Sequence, residues 1–115
     1  MRILTDDRPS GPPPDVSVVI PVLDGIATLP ALLEALRRQR GIGGVEIVAA
    51  DSGSTDGSRE LLAAHPLLLL DVERRAFGHG RTRNAAIAHT SAPYVVLLTQ
   101  DAVPADDHLL RRLTD

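Results

Sequence analysis

The sequence predicts an α/β fold: a parallel sheet covered by helices on both faces. Three observations carry that expectation. Four apolar, largely β-branched runs alternate with segments of helical period, giving β-α-β-α-β-α-β-α without an internal repeat. The first run, VSVVIPV at 16–22, is nearly unbroken in its apolar character, as in a strand buried on both faces. Right-handed crossovers bring the carboxyl ends of such strands to one rim, where ligands bind. Three of the four runs deliver an acid to that rim: Asp24, Asp51 and Asp101.

Each element has a local cause. After the first run, Thr28 offers a capping hydroxyl and Pro30 sits in the first turn of a helix. Leu29, Leu32, Leu33 and Leu36 share one face of it, opposite Glu34, Arg37 and Arg38, and Gly41 follows the terminal arginines as a stop. A second strand at 45–50 ends abruptly in DSGSTDGS at 51–58, and Leu61, Leu62 and Ala64 continue as a helix that Pro66 stops. The third strand is the run 67–72. Phe77-Gly78-His79-Gly80 then leads into a short helix at about 82–89. The fourth strand, 94–98, runs straight into Thr99-Gln100-Asp101. A last helix is expected from about 105, with Asp106 and Asp107 in its first turn and Arg111 and Arg112 near its end, the order the helix dipole prefers.

Composition narrows the function. A chain of 115 residues with 43% hydrophobic content holds one domain with one core. Residues 1–15 are polar and end in Gly11-Pro12-Pro13-Pro14; they are expected to be a disordered lead with no signal-peptide core, and 16–115 the domain. A net charge of −3 gives no reason to expect a nucleic-acid or anionic-membrane partner. Phe77 and Tyr94, the only aromatics, make no base-stacking platform. No apolar run approaches the roughly 20 residues that cross a bilayer, so the chain is expected in the cytoplasm, at most peripheral at the inner membrane face. The absence of cysteine excludes disulfides, thiolate nucleophiles and thiolate zinc sites. All 12 basic residues are arginine, which excludes a Walker lysine and a Schiff base.

The turn at 51–58 joins a buried strand to a helix N-terminus, and its free N–H groups and small side chains admit a ligand closely. It is not an EF-hand loop: the glycine is misplaced and position twelve is Leu62 rather than Glu. Nor does PVLDG after the first strand supply the glycine fingerprint of a dinucleotide fold. Asp56 reads as a cap of the following helix. Asp51 reads as a ligand-facing acid, the alternative being a turn cap. His79, between two glycines, is either a ligand or an exposed loop residue. Arg83 offers a planar fork of donors, the alternative being a solvated helix-face arginine. Asp101 is either a metal ligand or a turn residue, and His108 reads as surface.

Taken together, VSVVIPVLD at 16–24, DSGSTDGS at 51–58 and the acid after the fourth strand resemble the family 2 glycosyltransferases. The HGRTRN stretch at 79–84 is most similar to their rhamnosyltransferase-like branch. The resemblance spans about 100 residues. It implies the GT-A fold with the expected strands in the order 3-2-1-4, all parallel. It also implies a nucleoside diphosphate sugar, linked to uridine or deoxythymidine, as donor. On that pattern Pro21, Asp24, Asp51, Gly53, His79 and Arg83 line the donor site. Asp51 accepts a hydrogen bond from the base, and Arg83 meets the base or the diphosphate.

The family's two-acid D-x-D motif binds a divalent cation, but here it reads Thr99-Gln100-Asp101, so Asp101 alone remains to hold Mg²⁺ or Mn²⁺. No residue of this chain matches the family's general base. The expectation is therefore the donor-binding half of the enzyme, inactive alone, self-associating through the exposed edge of the fourth strand. A non-catalytic nucleotide-binding or oligomerising fragment is one alternative. A nucleotidyltransferase is another, disfavoured because Asp24-Gly25 is followed by no lysine signature.

Overall fold

The computed structural model describes residues 1–73 and 80–114. Strands β1 (Arg2–Asp6), β2 (Val16–Val22), β3 (Val45–Asp51), β4 (Leu68–Asp71) and β5 (Tyr94–Leu97) form one sheet in the order β1-β4-β3-β2-β5. Helices α1 (Leu29–Arg37), α2 (Ser58–Ala63), α3 (Gly80–Ile87) and α4 (Leu109–Thr114) complete the fold. The four expected strands lie in the expected order and are parallel to one another.

The sheet as a whole is mixed. β1 is antiparallel to β4, Arg2 opposite Asp71 and Asp6 opposite Leu68, with an irregularity between Ile3 and Thr5. This corrects two expectations: the sheet is not all parallel, and the disordered lead at 1–15 contains a strand. In Arg2-Ile3-Leu4-Thr5-Asp6 only Ile3 and Leu4 are apolar, too short a run to signal a strand by itself. Its stability comes from pairing with the buried edge of β4, and Leu4 packs against the core.

The alternation of strand side chains splits the core in two. On one face Val16, Val18, Ile20 and Val22 of β2 pack with Leu29, Leu32, Leu33 and Leu36 of α1, Leu62 of α2 and Leu110 of α4. On the other, Val19, Val48, Ala50, Leu68 and Leu70 meet Ala86 of α3. Helices thus cover both faces. Each leucine on the inner face of α1 contributes roughly 1.5–3 kcal/mol by leaving water.

The last helix begins at Leu109, not near 105. The carbonyls of Asp106 and Asp107 accept from Gln39 Nε2 (2.9 Å) and Arg40 N–H (2.6 Å) at the end of α1, which takes them out of a helical ladder. Asp106 instead closes a turn, its carboxylate accepting from the N–H of exposed His108. At the pole opposite the ligand rim, Glu46 of β3 is buried. It accepts from the hydroxyls of Ser17 (2.8 Å) and Ser91 (2.9 Å) and from the Ser91 N–H (2.9 Å), with Arg8 Nη1 at 3.4 Å. Arg8 also donates to the His89 carbonyl, so this cluster ties the chain after β1 to the start of β2, β3 and β5.

Candidate functional site

The parallel strands end in acids at one rim. Asp51 closes β3, Asp71 closes β4 in register with it, and Asp24 and Asp101 stand in the turns after β2 and β5. Four such strands therefore carry an acid, one more than the sequence reading counted.

The turns after β2 and β3 lock together. Asp24 adopts a φ of 49°, a left-handed conformation that an acid tolerates better than most side chains. Its carboxylate accepts from the Thr55 N–H (2.9 Å), while its own N–H donates to Ser54 Oγ (2.9 Å). Gly53, at φ 88°, makes the turn that a side chain would strain. Asp56 stands one residue ahead of the N-cap of α2, which is Gly57, and closes a turn there: it accepts from the Ser58 N–H (3.0 Å) and hydroxyl (2.6 Å). It also accepts from the Ile26 N–H (3.0 Å), which joins the two turns a second time. These bonds, that of the Ser58 hydroxyl first, hold its carboxyl below the ordinary Asp range.

Asp51 is completely buried, and its carboxylate is more heavily engaged than the sequence suggested. Oδ2 accepts from the Gly53 and Ser54 N–H groups (3.2 and 3.1 Å) and from Nε and Nη2 of Arg59 (3.0 and 2.9 Å). Oδ1 accepts from the Ser54 hydroxyl. Arg59 Nη2 also reaches Asp71 Oδ1 at 2.8 Å, so one guanidinium bridges the ends of β3 and β4. Its hydrogen bond to Asp51 raises the Arg59 pKa further. Sequence reasoning missed Arg59. The only signal for it was an arginine in the first turn of the helix directly after the acid-bearing loop. Oδ1 carries one hydrogen bond, that of the rotatable Ser54 hydroxyl, against four on Oδ2.

Beside these turns, Pro21, Arg83, Leu97, Leu98, Thr99, Gln100 and Asp101 line a cavity of about 380 Å³. The structure thus brings Pro21, Arg83 and Asp101 to one space, next to the pair of turns that holds Asp24, Asp51 and Gly53. His79 lies outside the described residues. The Thr99 hydroxyl, where a two-acid motif has its first carboxylate, donates to Asp101 Oδ1 at 2.9 Å. Among the described residues no three His, Asp or Glu side chains converge on a possible metal position. In the cavity Asp101 is the one carboxylate, so an ion bound there would have to complete its shell with water and phosphate oxygens. A hollow of about 400 Å³ beneath α1 and α2 is lined by Leu33, Leu61, Pro66 and others, including the N-terminal end of β3 and Leu67 just ahead of β4, away from this rim. No helix among the described residues is long and apolar enough to cross a membrane.

Comparison with known proteins bears on this geometry. The family model described as Glycosyl transferase family 2 matches residues 17–114. The O-antigen chain rhamnosyltransferase RfbN of Salmonella typhimurium is 31% identical over 100 residues, 85% of this chain and 32% of that protein. The mannosyltransferase PcManGT of Pyrobaculum calidifontis, solved with GDP-Man and Mn²⁺, superposes with a TM-score of 0.68 at 27% identity over 89% of this chain and 31% of that one. TarS of S. aureus in complex with UDP superposes with a TM-score of 0.74 at 22% identity, a likeness of fold, over 87% of this chain and 31% of that one. The chain spans about a third of the length of these proteins.

Proposed function

We propose that this chain, which belongs to glycosyl transferase family 2, supplies the donor-binding part of an enzyme that moves a sugar from a nucleoside diphosphate to an acceptor hydroxyl. The observation that carries this reading is the rim itself. Interlocked acid-bearing turns after β2 and β3 border a cavity in which Arg83 and Asp101 both take part. The deoxythymidine or uridine diphosphate sugar is carried over from the sequence resemblance; a structural neighbour solved with UDP supports testing uridine, and one solved with GDP-Man adds guanosine to the bases worth testing.

In this reading Asp51 accepts an N–H of the base at Oδ1, since a carboxylate is the strongest acceptor present at neutral pH. Asp24 and Gly53 shape the turn around the nucleoside, and Pro21 forms the floor. Arg83, on α3, pairs with the base carbonyls or the diphosphate, and His79 stays a candidate donor ligand on the sequence pattern alone. Asp101 would hold Mg²⁺ or Mn²⁺ jointly with the diphosphate. When bound, the ion offsets negative charge on the leaving diphosphate. In this reading none of the described residues serves as general base, and the part proposed for the chain is to bind the donor. The reading places the site on the cytoplasmic side.

Self-association belongs to the same reading. β5 pairs with β2 along one edge, and among the described residues nothing pairs with the other. Tyr94 (53% exposed), Leu97 (46%) and, on α4, Leu113 (55%) are exposed. An apolar edge of this kind, without proline or charge, is a template for a second copy.

A thermal-shift panel of uridine, deoxythymidine, guanosine and adenosine diphosphates, each with and without Mn²⁺, tests the donor reading. A ligand that binds only the folded chain stabilises it by about 2.7 kcal/mol at a hundredfold excess over Kd. No shift with any of them would sink it.

A further inference from the structure

The residue between Thr99 and Asp101 joins the two halves of the rim. The Gln100 side chain lies against the backbone of Leu23, in the turn after β2. The Leu23 N–H donates to Gln100 Oε1 (2.9 Å), and Gln100 Nε2 donates to the Leu23 carbonyl (3.0 Å). This pairing settles the amide's orientation, since a flipped amide would set donor against donor and acceptor against acceptor. It also explains the residue type, because neither a carboxylate nor an aliphatic side chain can both accept and donate. A third bond closes the joint: the Thr28 hydroxyl, ahead of α1, donates to the Gln100 carbonyl at 2.7 Å. Gly25 makes room for it. A Cβ there would stand 2.5 Å from Gln100 Oε1 and 2.7 Å from Cδ.

Resting on the donor-site reading above, we propose that Gln100 is a positioning residue for Asp101. Its amide anchors the turn after β5 to the turn after β2. That anchor holds the one available carboxylate at a fixed place beside Pro21 and Arg83, ready to meet a cation carried by the diphosphate. A site with two acids tolerates some play in either. A site with one needs that one held in place, and here the anchor is the middle residue of the motif itself. Thr99 completes the arrangement, because its hydroxyl restrains Asp101 Oδ1 from the other neighbouring position.

The test is calorimetry with uridine and deoxythymidine diphosphates, with and without Mn²⁺, on the whole chain and on the variants Gln100→Ala, Gly25→Ala and the double substitution. The quantity read is the Mn²⁺ increment, the ratio of Kd without metal to Kd with it. Loosening the group that orients a metal ligand costs about tenfold in metal affinity at the low end of the usual range. In Gln100→Ala the increment is expected to fall by that factor while the metal-free Kd stays within about twofold. Gly25→Ala displaces the amide without altering residue 100, and should give the same loss. In the Gln100→Ala background the two atoms nearest the added methyl are gone and the Cβ of residue 100 stands at 3.3 Å, so the double variant should be no worse than Gln100→Ala alone.

Variants that lose thermal stability but keep the wild-type increment would show Gln100 to be a structural joint and overturn the proposal. An equal loss of affinity with and without metal would also overturn it, placing Gln100 in the nucleotide site as a whole. A wild-type chain indifferent to every nucleotide would overturn the donor-site reading first, and this proposal with it.

Discussion

Replacing Asp51 with alanine should weaken both the fold and the nucleotide site, by amounts that can be separated. The carboxylate is fully buried and accepts five hydrogen bonds, two of them from Arg59. Breaking a buried ion pair costs about 3–5 kcal/mol when the remaining charge is stranded. Arg59 is not stranded: it is 30% exposed and keeps Asp71 at 2.8 Å. The cost should therefore sit near the low end, about 3 kcal/mol, part of it from the Gly53 and Ser54 N–H groups left without a partner. Against a typical total of about 5–15 kcal/mol the variant stays folded at 25 °C, with Tm lower by roughly 10–20 °C. Nucleotide binding should fall by a further 1.5–3 kcal/mol or so, the range for a hydrogen bond to a charged group. That is about ten- to 150-fold in Kd. Urea melts give the first number and calorimetry on the folded variant gives the second. Asp71→Ala is the control. It removes the half-exposed arm of the same bridge and should cost under about 1 kcal/mol, leaving Kd unchanged. Unchanged stability in Asp51→Ala would refute the burial argument, and lost stability with unchanged Kd would make Asp51 purely structural.

Three further expectations follow from the same geometry. Mn²⁺ titrated alone should bind weakly or not at all, and diphosphate should strengthen it; tight binding by the free chain, seen by calorimetry, would point to ligands beyond Asp101, His79 and His108 first among them. Burial, the largest influence on Glu46, would raise its pKa, but the bonds from Ser17 and Ser91 together with the Arg8 charge outweigh it and leave a net lowering. Its contribution to stability is then present above the unfolded value of about 4.3 and lost as pH falls through the lower folded value. Glu46→Gln should flatten that acid limb in urea melts at stepped pH, and an unaltered limb would contradict the lowered value. Light scattering should find the wild-type chain as a twofold dimer and Leu97→Lys as a monomer, because an edge lysine discourages strand pairing; a wild-type monomer at high concentration would refute the pairing.

Much of the fold was legible because it rests on local pattern. The nearly unbroken apolar run at 16–22 signalled a strand covered on both faces, and β2 has those bounds. The leucine stripe of α1 likewise declared both its helix and its buried face. What stayed hidden depends on partners distant in sequence. β1 is a strand only because β4 offers it an edge, 62 or more residues away, through pairs such as Asp6 with Leu68. The last helix starts late because the end of α1 captures the carbonyls of Asp106 and Asp107. At the site, the motif acids could be placed on the rim from strand order alone. Neither the claim of Arg59 on Asp51 and Asp71 nor that of Gln100 on Leu23 has any periodicity to announce it. Each is a single side chain reaching across a gap that only the folded backbone defines.

The N-terminal strand also gives the sheet a polarity. One margin is dressed: β1 runs against the grain of its neighbours, and Arg2 and Asp6 flank it with charge. At the opposite margin, among the described residues, no strand pairs with the outer edge of β5, and Tyr94 and Leu97 are exposed. A body with a single sticky side can join only one other like itself, because a twofold union consumes both bare margins and leaves dressed ones facing outward. On the proposed pairing, assembly would halt at two instead of running on as a fibril. Removing the first 15 residues would strip that dressing and uncover Leu68, Leu69 and Leu70 along β4. With two sticky sides the chain would turn from a self-limiting pair into a polymerising unit, visible as turbidity and thioflavin fluorescence where the full chain stays clear.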